Sequence, residues 1–261
     1  MLHGWMDVAA SFQFVVDGLQ GDWHVIAPDW RGFGLSERTH ADTYWFPDYV
    51  GDLDAIIEHC APGRAVHLLG HSMGGNVAAI YAGVRPERVA RLINLEGFGL
   101  RATTPAQAPG RYARWLDDLR QPAVLRSYPT LRAVAARLQK NNPRLSDERA
   151  AFLAQHWAAR NQDGQWDILG DPVHKNTSPL QYHVAETMAI WSAIKAPVLW
   201  VEGDDTNMWQ WMGPKVEARL ELDRRLGFLA DVTTKMMLDA GHMVHHDQPV
   251  ALAQMIEAFL A

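Results

Sequence analysis

With 261 residues, 48% of them hydrophobic and 21% charged, the chain has the composition of a folded domain, which excludes a disordered or fibrous protein. The net charge is −6, lysine and arginine form no block, and no apolar run approaches the roughly 20 residues of a membrane span, so neither a nucleic-acid partner nor a membrane partner is expected. Cys60 is the single cysteine, which excludes an internal disulfide and indicates a reducing compartment, the cytoplasm.

Strand and helix patterns alternate in the first third of the chain. Short apolar runs predict strands at 24–28, 65–70 and 91–96. Helical spacing of apolar residues predicts helices over 48–60 and 73–83. Strands separated by helices predict an α/β fold with a mostly parallel sheet and helices on both faces.

The pattern changes between residues 101 and 190. Apolar residues follow helical spacing over 112–119, 131–138 and 152–157, and no strand is predicted in this region. We interpret 101–190 as a helical cap inserted after the strand that ends near Glu96, with 1–100 and 191–261 forming the core. The tryptophans of the region either pack the cap onto the core or line an apolar pocket, and the sequence leaves both alternatives open.

Alternation resumes after this region. Apolar runs at 197–203 and 233–238 predict two further strands. A closing helix follows, with Asp247 as its N-cap, Pro249 in its first turn, and Ala253 and Ile256 facing the core.

Residues 70–74 read Gly-His-Ser-Met-Gly and lie between a predicted strand and a predicted helix. In a G-x-S-x-G turn the serine occupies a tight, strained position, and the glycines remove side chains that would clash there. The hydroxyl of Ser72 is then presented above the sheet edge, and the backbone amide of Met73 points to where an oxyanion would form. The pattern predicts that Ser72 is a nucleophile.

A serine hydroxyl is a weak nucleophile until a positioned base removes its proton. His242 is the candidate base, because it follows a glycine in the loop after the last predicted strand. His245, His246 and Asp247 nearby resemble part of a metal cluster, but no other ligand set has zinc spacing, so we interpret them as a solvated loop and predict no metal. The chain has no Rossmann or P-loop glycine pattern, and no cofactor is predicted.

These features resemble the α/β-hydrolase superfamily. The matching motifs are His-Gly-Trp at 3–5, Asp-Trp-Arg-Gly-Phe-Gly-Leu-Ser at 29–36, Gly-His-Ser-Met-Gly-Gly at 70–75 and Gly-His at 241–242, and they follow the family order along almost the whole chain outside the cap. The resemblance implies that the backbone amides of Trp5 and Met73 form an oxyanion hole. It also implies that segment 101–190 shapes a substrate pocket.

The start of the chain departs from the family pattern. The family normally has two or three strands before the His-Gly turn, whereas here only Met1 and Leu2 precede it. The resemblance therefore implies that N-terminal strands are missing, through a late start or because the chain is a fragment. An uncovered sheet edge promotes association or poor folding, so the expected consequence is an inactive protein.

The catalytic acid has two candidate positions. The family often has an aspartate three residues after the glycine that ends the strand at 197–203, but that position is Thr206 here, and Asp205 fits only if the turn is one residue shorter. The other position follows the strand after the nucleophile helix, where similar haloalkane dehalogenases have a glutamate and this chain has Glu96. Either carboxylate would orient His242. Without a catalytic role, Asp205 would be an ordinary turn residue, and Glu96 would cap a helix or form an ion pair with segment 101–190.

A serine at the elbow excludes the usual mechanisms of the similar haloalkane dehalogenases and epoxide hydrolases, which attack with an aspartate. It favours an acyl-enzyme on Ser72, formed from an ester-like bond of a small or medium hydrophobic substrate. A carbon–carbon bond hydrolase or a perhydrolase with the same triad is an alternative, and a catalytically silent binding module is another. The sequence predicts neither the physiological substrate nor the oligomeric state.

Overall fold

A parallel sheet forms the centre of the computed structural model, which describes residues 1–121, 123–180, 182–207 and 209–261. In this part of the chain the strands are β1 (Val66–His71), β2 (Val89–Leu95), β3 (Ala158–Arg160), β4 (Trp166–Ile168), β5 (Val198–Gly203) and β6 (Val232–Met237). The sheet has the order β1, β2, β5, β6, with every neighbouring pair parallel. The four strands predicted from residue 65 onward are therefore confirmed.

Helices connect and flank these strands. They are α1 (Gln13–Val16), α2 (Phe46–Cys60), α3 (Met73–Val84), α4 (Ala108–Arg120), α5 (Leu131–Asn141), α6 (Asp147–Trp157), α7 (Val184–Ser192), α8 (Trp209–Met212), α9 (Lys215–Leu226), α10 (Val244–Asp247) and α11 (Pro249–Leu260). Short 3-10 helices occupy Ala9–Phe12, Pro86–Arg88, Pro105–Gln107 and Pro172–Lys175. None of the described helices combines the length and apolar character needed to cross a membrane.

The two faces of the sheet are buried in separate hydrophobic clusters. Successive side chains of a strand point to opposite faces. Leu68 and Leu92 accordingly pack with residues of α2, α3, α7 and α9, whereas Leu69 and Ile93 pack with residues of α1, α10 and α11. Both faces of the sheet are covered by helices, as a parallel sheet requires, and the predicted α/β fold is confirmed.

The region between 101 and 190 is mostly helical but not entirely. The three predicted helical stretches lie in α4, α5 and α6, whereas the short antiparallel pair β3–β4 contradicts the expectation that this region has no strand. Strands of three residues are too short for a periodic sequence signal. Helices α5 and α6 and the start of β3 share a buried cluster of their own, around Val134 and Leu153. The division into core and cap stays a prediction.

Two other expectations are wrong. The segment 24–28 forms no strand; it is partly exposed, and the carbonyl of Ile26 accepts a hydrogen bond from the N-terminal ammonium of Met1 (2.7 Å). Asp247 ends α10 instead of capping α11, whose N-cap is Gln248. Before the His-Gly turn, Leu2 forms an isolated parallel bridge with Gly70 of β1.

Helix α3 lies so close to α7 that a glycine is required between them. A Cβ atom on Gly83 would lie 2.1 Å from the carbonyl oxygen of Ile190. A Cβ atom on Gly51, in α2, would have no atom within 4 Å.

We expect Gly83→Ala to lower the free energy of unfolding by about 1–3 kcal/mol, because the helices must separate. The matched control Gly51→Ala should raise it by about 0.5–1 kcal/mol, because alanine restricts the unfolded chain. Urea unfolding followed by tryptophan fluorescence measures both changes. A Gly83→Ala protein as stable as the wild type would contradict the close packing of α3 on α7.

Candidate active site

Ser72 occupies the sharp turn between β1 and α3. Its backbone is in an unusual region, with φ 50° and ψ −114°, which only strong local constraints maintain in a residue other than glycine. The amide of Ser72 donates to the carbonyl of Leu95 in β2 (2.8 Å). A Cβ atom on Gly70 would lie 2.3 Å from the carbonyl oxygen of Gly74, so the first glycine of the motif is required for the turn to close.

Glu96 directly follows β2 and also has a positive φ, of 57°. Its amide donates to the carbonyl of Val201 in β5 (3.0 Å), which continues the hydrogen bonding of the sheet. The side chain is 1% exposed. One carboxylate oxygen, Oε1, accepts a hydrogen bond from the amide of Gly203 (2.7 Å), and the other, Oε2, accepts one from the hydroxyl of Thr206.

His242 contacts the same carboxylate. Its Nδ1 lies 3.0 Å from Oε2 of Glu96. When Glu96 is ionised it can only accept, so Nδ1 then carries the proton and Nε2 keeps its lone pair, which is the tautomer that a base needs. The other candidate acid is elsewhere: Asp205 is 71% exposed and pairs with Arg144 (2.7 Å). The structure therefore brings Glu96, and not Asp205, to His242.

A second histidine joins the loop of His242 to the nucleophile turn. Nε2 of His71 donates to the carbonyl of His242 (2.8 Å), and the centroids of the two rings are 4.8 Å apart. His71 immediately precedes Ser72, so His242 is held beside the turn. Within the described residues, the hydroxyl of Ser72 forms no hydrogen bond with the imidazole of His242. Such contacts are often long without substrate and tighten when it binds.

Burial sets the protonation of these groups. It lowers the pKa of His242 to about 4, so the imidazole is neutral and able to accept a proton near pH 7. Burial raises the pKa of the Glu96 carboxyl, and the hydrogen bonds from Thr206 and Gly203 oppose this rise because they stabilise the ionised form.

The predicted oxyanion donors belong to two segments beside Ser72. Met73 is the first residue of α3, where backbone amides have no intrahelical acceptor. A Cβ atom on Gly4 would lie 3.3 Å from Cβ of Ser72, which places the turn that continues into Trp5 against the serine. The indole of Trp5 is 51% exposed and donates to the carbonyl of His174 (3.3 Å). The donor roles of Trp5 and Met73 stay predictions.

Sequence reasoning missed three contacts of the site. Thr206 bonds Glu96, His71 bonds the His242 loop, and the ring of Trp211 lies 4.9 Å from that of His242. His71 could have been suspected from its place inside the G-x-S-x-G motif. The contacts of Thr206 and Trp211 form between segments that are far apart in the sequence, so no local sequence pattern predicts them.

The interpretation of His245 and His246 as a solvated loop is wrong. They are 0% and 3% exposed, because α10 packs them beneath the turn of Ser72, together with buried Asp7 and His71. Burial lowers the pKa of both histidines.

Three of these buried side chains are of the types that bind metals. Asp7, His71 and His245 each offer a ligand atom, and these atoms lie within 4.8 Å of one another, with 3.7 Å between His245 Nε2 and Asp7 Oδ2. Tetrahedral zinc with bonds of about 2.1 Å places its ligand atoms only about 3.4 Å apart. The arrangement is wider than that, and we describe it as a buried polar network.

Comparison with known proteins identifies the family of the fold. The sequence profile of the family described as alpha/beta hydrolase fold matches residues 1–249. The serine hydrolase-like protein of Danio rerio is 29% identical over 99% of this chain and 80% of its own length. A hypothetical protein of Pseudomonas aeruginosa PAO1 has a similar crystal structure, with a TM-score of 0.85, 26% identity, and coverage of 99% of this chain and 89% of its own. The thioesterase domain from the curacin biosynthetic pathway is also similar in structure, with a TM-score of 0.85, 25% identity, and coverage of 98% of this chain and 89% of its own.

We expect the free energy of unfolding to fall as the pH drops below about 6.5, the usual histidine pKa. Because burial lowers the pKa values of His71, His245 and His246, these rings stay neutral in the folded protein and take up protons on unfolding. The unfolded state then binds more protons, so stability present at higher pH is lost on acidification.

Each of the three rings should lower the free energy of unfolding by about 1 kcal/mol when the pH falls from about 6.5 to about 5.5. Urea unfolding at the two pH values measures the difference. His59→Gln, at an exposed position of α2, is the control. It should show the same difference in the free energy of unfolding between the two pH values as the wild type. A constant free energy of unfolding over this range would contradict neutral, buried histidines.

Proposed function

Because the chain belongs to the alpha/beta hydrolase fold family, we propose that it is a serine hydrolase that cleaves an ester-like bond through an acyl-enzyme on Ser72. The observation that carries the proposal is the hydrogen bond between His242 Nδ1 and the buried carboxylate of Glu96, next to the strained turn of Ser72. A structural turn needs no neutral histidine and no buried acid beside it. A base that must become charged needs both.

The proposed reaction begins when Nε2 of His242 removes the proton of Ser72 and the serine oxygen attacks the substrate carbonyl. The amides of Trp5 and Met73 stabilise the oxyanion that forms. Glu96 stabilises the imidazolium of His242 while His242 carries the proton taken from Ser72. His242 then protonates the leaving group and activates the water that hydrolyses the acyl-enzyme.

The surroundings of the site favour a hydrophobic substrate of small or medium size. Two partly exposed tryptophans, Trp211 against His242 and Trp5 in the turn beside Ser72, provide apolar surface next to the reacting groups. The separate hydrophobic cluster of α5 and α6 supports segment 101–190 as a cap over the substrate. Similarity to a thioesterase domain supports acyl transfer as the reaction class, with an oxygen ester or a thioester as the bond.

A catalytically silent hydrolase fold that binds a ligand is the second candidate. The observation that favours it is that, in the described part of the chain, the hydroxyl of Ser72 forms no hydrogen bond with His242. A serine that is not activated reacts no faster than an ordinary surface serine.

Exposure of the purified protein to a fluorophosphonate probe separates the two candidates. We expect an adduct on Ser72, located by mass spectrometry, because an activated serine attacks phosphorus as it attacks a carbonyl. Ser72→Ala should abolish the adduct, and His242→Ala should slow its formation at least about 100-fold through loss of the base. Labelling at the same rate in His242→Ala would refute the assigned base. A folded wild type that stays unlabelled would favour the silent binding module.

We also expect the two candidate acids to differ in effect on the hydrolysis of a p-nitrophenyl ester. Glu96→Gln should lower kcat roughly 10²- to 10⁴-fold, because an amide favours the wrong tautomer of His242. Asp205→Asn removes the same charge from an exposed ion pair and should change kcat less than about threefold. Equal effects of the two substitutions would show that the acid lies elsewhere.

A further inference from the structure

Two groups share one oxygen of the buried carboxylate. Oε2 of Glu96 lies 3.0 Å from Nδ1 of His242, and it also accepts the hydrogen bond from the hydroxyl of Thr206. Oε1 is held separately by the amide of Gly203 (2.7 Å). A carboxylate with donors on both oxygens has one preferred orientation, and this orientation is the one that presents Oε2 to the imidazole.

The turn that carries Thr206 is fixed to the loop that carries His242. The amide of Asp204 donates to the carbonyl of Met237 (2.9 Å), and the amide of Asp205 donates to the carbonyl of Ala240 (3.0 Å). A Cβ atom on Gly203 would lie 2.4 Å from that same carbonyl oxygen of Ala240. The backbones of the two segments are therefore in direct contact, and Thr206 keeps its place relative to His242.

Position 206 is three residues after Gly203, which ends β5. The chain has a hydroxyl at this position and a carboxylate on the neighbouring strand end, at Glu96. The hydroxyl reaches the oxygen that meets His242, so the side chains of both positions converge on one point.

We propose that Thr206 is a positioning residue that orients the Glu96 carboxylate toward His242. The proposal rests on the proposed function for its effect on turnover. In this role Thr206 acts through Glu96. Its hydroxyl donates to the carboxylate, a hydrogen bond that strengthens when Glu96 is ionised.

The direct test compares Thr206→Val, which removes the hydroxyl but keeps the shape, with Thr206→Ser, which keeps the hydroxyl. In Thr206→Val we expect kcat to fall about 10- to 100-fold with KM nearly unchanged, as for loss of a hydrogen bond to a charged group. The pKa of Glu96 should rise, because its ionised form has lost a hydrogen-bond donor. The acid limb of the pH profile of kcat should therefore move to higher pH. Thr206→Ser should retain both properties. A Thr206→Val enzyme with wild-type kcat and pH profile would overturn the proposal.

One readout does not depend on turnover. The proton on Nδ1 of His242, hydrogen-bonded to a carboxylate, should give a low-field proton NMR resonance in the wild type and in Thr206→Ser. This resonance should move or disappear in Thr206→Val, and should be absent in Glu96→Gln. If it is unchanged in Thr206→Val, the positioning role is refuted whether or not the protein is active. If the wild type neither labels nor turns over while the resonance responds to Thr206→Val, the positioning role stands and the proposed function fails.

Discussion

The buried carboxylate of Glu96 is the group on which the arrangement of the site depends. Removing a carboxylate from water is costly unless donors replace the water, and a carboxylate left without them would be protonated or would disrupt the core. Here the donors come from the end of β5, from the turn after it, and from the loop after β6. Satisfying one side chain therefore brings together segments that are more than 100 residues apart in the sequence.

The parallel sheet makes this convergence possible. The carboxyl ends of β1, β2 and β5 lie side by side. Ser72 and Glu96, which directly follow β1 and β2, therefore lie at the same edge of the sheet as Gly203, which ends β5. Ligands of open α/β sheets bind outside the same edge. The hydrogen bonds from Ser72 to Leu95 and from Glu96 to Val201 extend the sheet by one residue at each strand end. They hold two residues with positive φ in conformations that an isolated turn would leave.

The parts of the fold and site that depend on local patterns could be predicted from the sequence. The alternation of apolar runs identified the four sheet strands, and the G-x-S-x-G motif identified the turn of Ser72. The choice between Glu96 and Asp205 could not be made, because both follow strands and only the three-dimensional path of the turn at 203–206 separates them. The burial of His245 and His246 was missed for a related reason. Polar residues after a strand normally face water, and their burial here depends on α10 packing over Phe12 and Phe14.

The buried polar network lies directly beneath the turn of Ser72. Oδ2 of Asp7, Nδ1 of His71 and both ring nitrogens of His245 are buried without a hydrogen-bond partner among the described residues. Such groups cost free energy that a hydrophobic core of the same volume would not. His71 connects this network to the carbonyl of His242. Apolar side chains of the same volume would avoid this cost, so these polar groups make the region directly behind the serine and its candidate base less stable than an apolar core would be.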